Sequence, residues 1–121
     1  MARFAGFSDN YRLSGGCGSL ADYYAAAYGG GVFDRRLRKA IVFSDHSLAT
    51  DSAFGEMQLV SCRNALIYFE RELQERALRV LTDSLTHSGY LGLGAKESLR
   101  STSFGAHFAE VDSIARIYQK P

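Results

Sequence analysis

The chain has 121 residues, 46% of them hydrophobic, and a formal net charge of +1. That length allows one domain with a single modest core, and the near-neutral balance argues against bulk DNA or an anionic membrane surface as partner. No apolar run approaches the roughly 20 residues that span a bilayer, and the first residues carry no long apolar signal segment. Cys17 and Cys62 are too few and too far apart for a disulfide framework or a zinc site, so a reducing cytosol is the expected setting.

In chain order, residues 1–18 are Gly- and Ser-rich and read as loop or frayed terminus. Ser19-Leu20-Ala21-Asp22 carries a capping-box-like pattern that opens an expected helix through Tyr28, ended by Gly29-Gly30-Gly31. Lys39-Ala40-Ile41-Val42-Phe43 is a compact β-prone run, followed by the polar turn Ser44–Ser47, and Gln58–Ser61 reads as a second strand. From Glu70 to about Thr86, Leu73, Ala77, Val80, Leu81 and Leu85 recur at helical spacing, with Glu75 and Arg79 four apart on the outer side. Gly89–Gly94 reads as a third strand. Phe104–Phe108 and Ile114–Tyr118 are expected to pair as a closing hairpin across an acidic turn at Glu110–Asp112.

Strand, connection, strand, helix, strand is the order of a parallel α/β sheet, in which ligands bind beyond the carboxyl ends of the strands. Three polar clusters follow the expected strands: Asp45-His46-Ser47-Leu48, Cys62-Arg63-Asn64 and Ala95-Lys96-Glu97-Ser98. On residue chemistry alone, Cys62 is a packing residue, since no histidine is paired with it. Arg63 is either a structural ion pair or a ligand contact. His46 caps a turn, and without a second ligand nearby no metal site is read. Tyr68 and Phe69 are core aromatics at a helix start.

"FSDHSLATDSAFGEMQLVSCRNALIYFERELQERAL", then "GYLGLGAKESL", then "RIYQKP" closely resembles the C-terminal part of the chemotaxis-receptor glutamate methyltransferases, the CheR family. The resemblance covers about residues 19–120, and the C-R-N-x-L-I-Y-F octamer is its most specific part. It implies a partial Rossmann-like class I methyltransferase sheet with a C-terminal antiparallel hairpin, lacking the first two strands. It also implies a division into an N-terminal segment, 1–18, and the C-terminal half of a catalytic domain, 19–121. The cofactor implied is S-adenosylmethionine and the substrate is glutamate side chains of chemoreceptor-like proteins in the cytoplasm.

Carried over residue by residue, Ser47 and Leu48 stand where the family has Asn-Leu against the adenine. The serine keeps one hydroxyl but loses a two-ended amide. Arg63 and Asn64 fall in the segment beside the cofactor. Tyr68 matches a tyrosine near the methyl group, acting through its ring face or its hydroxyl. The family's Gly-rich cofactor turn is not found: Gly15-Gly16-Cys17-Gly18 follows no apolar strand, and Gly92-x-Gly94 lacks a third glycine. By resemblance that turn, a ribose-binding acid, a helical domain and a catalytic arginine all lie before residue 1. The isolated chain is therefore expected to be inactive; the alternative is a non-catalytic oligomerising or protein-interaction module. Strand 39–43 would lose its neighbours. It is expected to dock beside 58–61, to swap onto a second copy in a homodimer, or to pair with a complementing chain. Val32–Arg38 is basic enough to face an acidic receptor helix, or is a solvated turn.

Overall fold

The computed structural model describes residues 2–121. The chain divides at Asp45 into two compact units.

The first unit opens with helix α1, Ala2–Leu13, where the sequence reading expects loop; Met1 lies outside the described residues. The glycines that suggested a loop are the end of this helix. Gly15 sits at φ +93°, and the N–H groups of Gly15 and Gly16 donate to Arg12 O (3.1 Å) and Tyr11 O (3.0 Å). This is the left-handed stop that glycine supplies without steric cost. Ser19 and Asp22 form the expected box: Ser19 Oγ accepts from Ala21 N and Asp22 Oδ2 accepts from Ser19 N, both at 3.2 Å. It caps only a single turn, Leu20–Tyr23, however, and the helix expected through Tyr28 does not form.

Instead β1, Tyr24–Ala27, pairs antiparallel with β2, Gly30–Phe33. Tyr28 (φ +49°) and Gly29 (φ +75°) make a two-residue turn whose left-handed angles suit a hairpin. Tyr24 faces Phe33 edge-on, their rings 6.5 Å apart. Helix α2, Arg35–Lys39, is capped by Asp34, whose Oδ1 accepts from Arg36 N at 2.8 Å. That cap draws Lys39 into a helix and leaves Ile41, Val42 and Phe43 outside any strand, with Val42 91% and Phe43 83% exposed. The strand expected at 39–43 is therefore absent: β propensity alone does not make a strand without a ladder partner.

The second unit holds a four-stranded mixed sheet of order β3-β4-β6-β5. β3 is Met57–Cys62, β4 Leu85–Leu93, β5 Ala109–Asp112 and β6 Ile117–Gln119. β3 and β4 run parallel, and β6 is antiparallel to both β4 and β5. Strand 58–61 is thus found, one residue longer at each end, and among the described residues its ladder partner is β4. β4 starts earlier than the expected Gly89, through an irregular stretch with Ser88 at φ +59°. The closing hairpin exists but is displaced: residues 104–108 are turn, and the acidic segment expected to be the turn is strand β5. Glu110 is accommodated there by Arg100, 2.8 Å away. Asp112 Oδ1 closes the true turn by accepting from Ile114 N and Ala115 N, each at 2.8 Å.

Helix α3, Arg71–Asp83, bridges β3 to β4 and buries Ala77, Leu78, Val80 and Leu81. The core joins Ala77, Leu78 and Leu81 to Leu91, Leu93 and Leu99, all at most 2% exposed; each such leucine contributes roughly 2 kcal/mol by area. The helix ends before the expected Thr86. Ser84 N donates to Val80 O, and Lys120 Nζ donates to Thr82 O and Leu85 O, both at 2.8 Å. A cation on the last carbonyls favours that end. Glu75, expected to meet Arg79, instead accepts from Ser103 N at 2.9 Å and from Ser103 Oγ.

The hydrogen bonds from Ser103, with Arg71 and Arg79 nearby, hold the Glu75 carboxyl below its ordinary pKa. A depressed folded pKa adds stability above the unfolded value and loses it as pH falls through the folded one. Urea titrations of wild type and Glu75→Ala should therefore differ most near neutral pH and converge on acidification below the carboxylate range. A difference independent of pH would contradict the contact.

Candidate functional site

The carboxyl ends of two parallel strands leave backbone N–H groups with no ladder partner, and such groups must find acceptors when buried. Here β3 ends at Cys62 and β4 at Leu93, which lie opposite each other in the ladder. Asn64 then turns the chain at φ +58°, a left-handed conformation that asparagine tolerates better than most residues. A single turn of helix, Leu66–Tyr68, follows before α3 begins.

One side chain gathers these exits. Glu97, 5% exposed, accepts from Asn64 N and Gly94 N through Oε1, both at 2.7 Å, and from Ile67 N through Oε2 at 3.1 Å. From the other side Gln74 Nε2 donates to Leu66 O and Phe69 O, each at 2.9 Å. The turn carrying Tyr68 is thus held by its N–H groups on one side and its carbonyls on the other. Gly94 is required by contact: a Cβ there would lie 2.7 Å from Glu97 Oε1 and 2.9 Å from Asn64 N, and closer still to Asn64 Oδ1.

Of the expected site residues, Arg63, Asn64 and Tyr68 share this one connection, and all three are exposed, Tyr68 to 80%. Ser47 and Leu48 lie on a separate loop. Ser47 N donates to Asp51 Oδ2 at 2.8 Å, and Leu48 packs against the core. Among the described residues no hydrogen bond joins Ser47 to Arg63 or Asn64. Asp51 is held below its ordinary pKa, first by the Ser47 N–H and then by Thr50 and His46. Tyr68 is not a core aromatic, whereas Phe69 is partly buried against the core. Cys62 also packs against the core, and burial, reinforced by the Glu97 carboxylate, pushes its thiol up in pKa. That is the opposite of what a nucleophilic cysteine needs. Beside the Tyr68 turn, Lys96, Ser98, Ser101 and Thr102 line a polar cleft of about 240 Å³.

Glu97 stands in the third polar cluster of the sequence reading, which assigned it no role. Its signal was Gly94-x-x-Glu97, the same arrangement as Ser19-x-x-Asp22, in which an acid three residues on returns to a backbone N–H. The glycine cluster at 15–18, rejected as a cofactor turn, is the stop of α1.

A family profile described as CheR methyltransferase, SAM binding domain, matches residues 16–114. The chain is 50% identical over 114 residues to Cher3 of Pseudomonas putida, a match covering 94% of this chain and 42% of that protein. It is 42% identical over 62 residues to a chemotaxis protein methyltransferase of Listeria innocua, covering 51% of this chain and 24% of the relative. A chemotaxis protein methyltransferase of Vibrio parahaemolyticus is 38% identical over 64 residues, covering 52% and 23%. The chain therefore spans less than half the length of these relatives.

Two outcomes follow from the geometry. Gly94→Ala should lower unfolding stability by about 3 kcal/mol, because the added carbon meets backbone as well as side chain; a loss near zero in denaturant titration would show that the exit loops yield freely. Iodoacetamide at pH 8 should modify the exposed Cys17 and reach Cys62 only on unfolding, as peptide mass mapping would report.

Proposed function

The chain belongs to the CheR methyltransferase family, and from that membership we propose that it contributes part of a site for S-adenosylmethionine-dependent methylation of glutamate side chains on chemoreceptor-like proteins. The observation that carries the reading is the rigid exit of β3 and β4, with Asn64 and Tyr68 displayed from a turn tied on both sides. The matched domain is the one that holds S-adenosylmethionine in this family, and the donor set fits: an amide at Asn64, a guanidinium at Arg63 and an exposed aromatic at Tyr68. When bound, the cofactor supplies an electrophilic methyl group on a sulfonium.

The chain's own residues position the reactants. A glutamate carboxylate is already ionised at neutral pH, so the site needs alignment more than proton transfer. Asn64 and Arg63 bind beside the cofactor, with Ser47 and Leu48 toward the adenine. Tyr68 either lays its ring against the sulfonium or holds the incoming carboxylate by its hydroxyl. The sheet order β3-β4-β6-β5, with one antiparallel strand set inside it, supports reading residues 19–121 as the later half of a class I methyltransferase sheet. In that reading residues 1–18 precede the catalytic part. No described helix is long and apolar enough to cross a membrane; we place the protein in the cytoplasm beside its receptor substrate.

One observation favours a second reading, a non-catalytic interaction module. The apolar run Ile41-Val42-Phe43 is exposed, and among the described residues β3 has one ladder partner. Such features fit pairing with a second copy or a complementing chain. Calorimetric titration of S-adenosylhomocysteine separates the two. Saturable binding in a full-length context, weakened by Asn64→Ala, is expected. No binding at millimolar ligand, an affinity below about 4 kcal/mol, together with a dimer by light scattering, would establish the module. With binding in hand, Tyr68→Phe at full transfer rate would eliminate the hydroxyl role and leave the ring.

A further inference from the structure

We infer that Glu97 is the positioning residue of this site: its carboxylate fixes the Asn64 turn and the Tyr68 turn relative to each other, a task no neutral or shorter side chain performs. As regards the ligand, the inference rests on the methyltransferase reading; as regards the geometry, it stands alone.

Three N–H groups from two different chain segments converge on Glu97: two from the connection after β3 and one from the end of β4. A carboxylate offers two oxygens that only accept, and bonds to an ionised acceptor are the stronger kind. A glutamine in the same place has one oxygen. With that oxygen at the Oε1 position its NH2 opposes the Ile67 N–H; flipped, the NH2 opposes Asn64 and Gly94 instead. Either way donor meets donor in a buried setting, which costs more than the lost bond. Aspartate keeps the charge but is one methylene shorter. Glu97 N already donates to Gly94 O at 2.9 Å, so the backbone is pinned and the side chain must supply the reach.

Gln74 does a different job. It holds the carbonyls of the Tyr68 turn from α3 and so preserves the shape of the turn. Glu97 sets where that turn stands relative to Asn64 and β4. Tyr68 is 80% exposed and has no packing of its own to hold it. Its placement therefore depends on the backbone beneath it. Loss of Glu97 should leave the apolar core intact and misplace the ligand-facing groups.

Amide hydrogen exchange on this chain, without ligand, tests the geometry first. In wild type, Asn64, Ile67 and Gly94 should exchange slowly for loop residues. In Glu97→Gln either Ile67 or the Asn64–Gly94 pair should exchange about tenfold faster, while Ala77 and Leu78 in α3 keep their protection. Fast exchange at Asn64 and Ile67 in wild type overturns the inference, and needs no variant to fold. The ligand half is read by S-adenosylhomocysteine calorimetry in a full-length context. Glu97→Gln and Glu97→Asp should each bind about tenfold more weakly, as loss of an orienting partner does, with the thermal transition still cooperative. Loosened loops with wild-type affinity would overturn the positioning role. Absence of binding in wild type would overturn the methyltransferase reading instead, and the exchange result would still decide the clamp.

Discussion

Two parallel strands cannot be joined by a tight turn, and most of the second unit follows from that constraint. After β3 the chain must travel back along the sheet before β4 can pair beside it, and α3 makes the crossing. The helix then has a sheet to cover, which is why its apolar stripe meets Leu91 and Leu93. The same constraint brings both carboxyl ends to one edge, where unpaired backbone donors collect. The core and the candidate site are thus two results of one pairing.

At that edge the polar groups are satisfied by side chains. Glu97 and Gln74 each reach across from another segment, so the turn between β3 and α3 owes little of its shape to its own sequence. This division of labour leaves the exposed side chains of Arg63 and Tyr68 with no structural hydrogen bond among the described residues, while the Asn64 amide packs beside Gly94. Groups so released are available to a ligand, while the backbone that carries them is fixed.

Periodic local patterns were legible in the sequence, whereas α1, the β1–β2 hairpin and the long-range contacts were not. The helical spacing from Leu73 to Leu81 located α3, and the run Gln58–Ser61 located β3, because each pattern is written in consecutive residues. The segment 39–43 has the composition of a strand, but a strand is a relation between two segments, and the cap at Asp34 claims its first residue for a helix. Glu110 and Asp112 suggested a turn by their charge; the Arg100 partner that allows Glu110 to sit in a strand is ten residues away. The bonds from Glu97 to Asn64 and Ile67 span 33 and 30 residues, so no window along the chain displays them. The motifs carried Asn64, Tyr68 and Glu97 alike, while the bonds by which Glu97 holds the other two were seen only in three dimensions.

Gly94, Asn64 and Glu97 compete for one small volume, and this bears on how such a site diverges. A carbon added at position 94 is admissible only if the amide at 64 shrinks or turns away. A changed acid at 97 removes the reason for 64 to stay where it is. Changes at these three positions should not combine additively, so paths through sequence space that alter one of them pass through the others. A designer who wishes to move this turn into another parallel sheet must therefore carry the three together, as a unit of inheritance larger than any one residue.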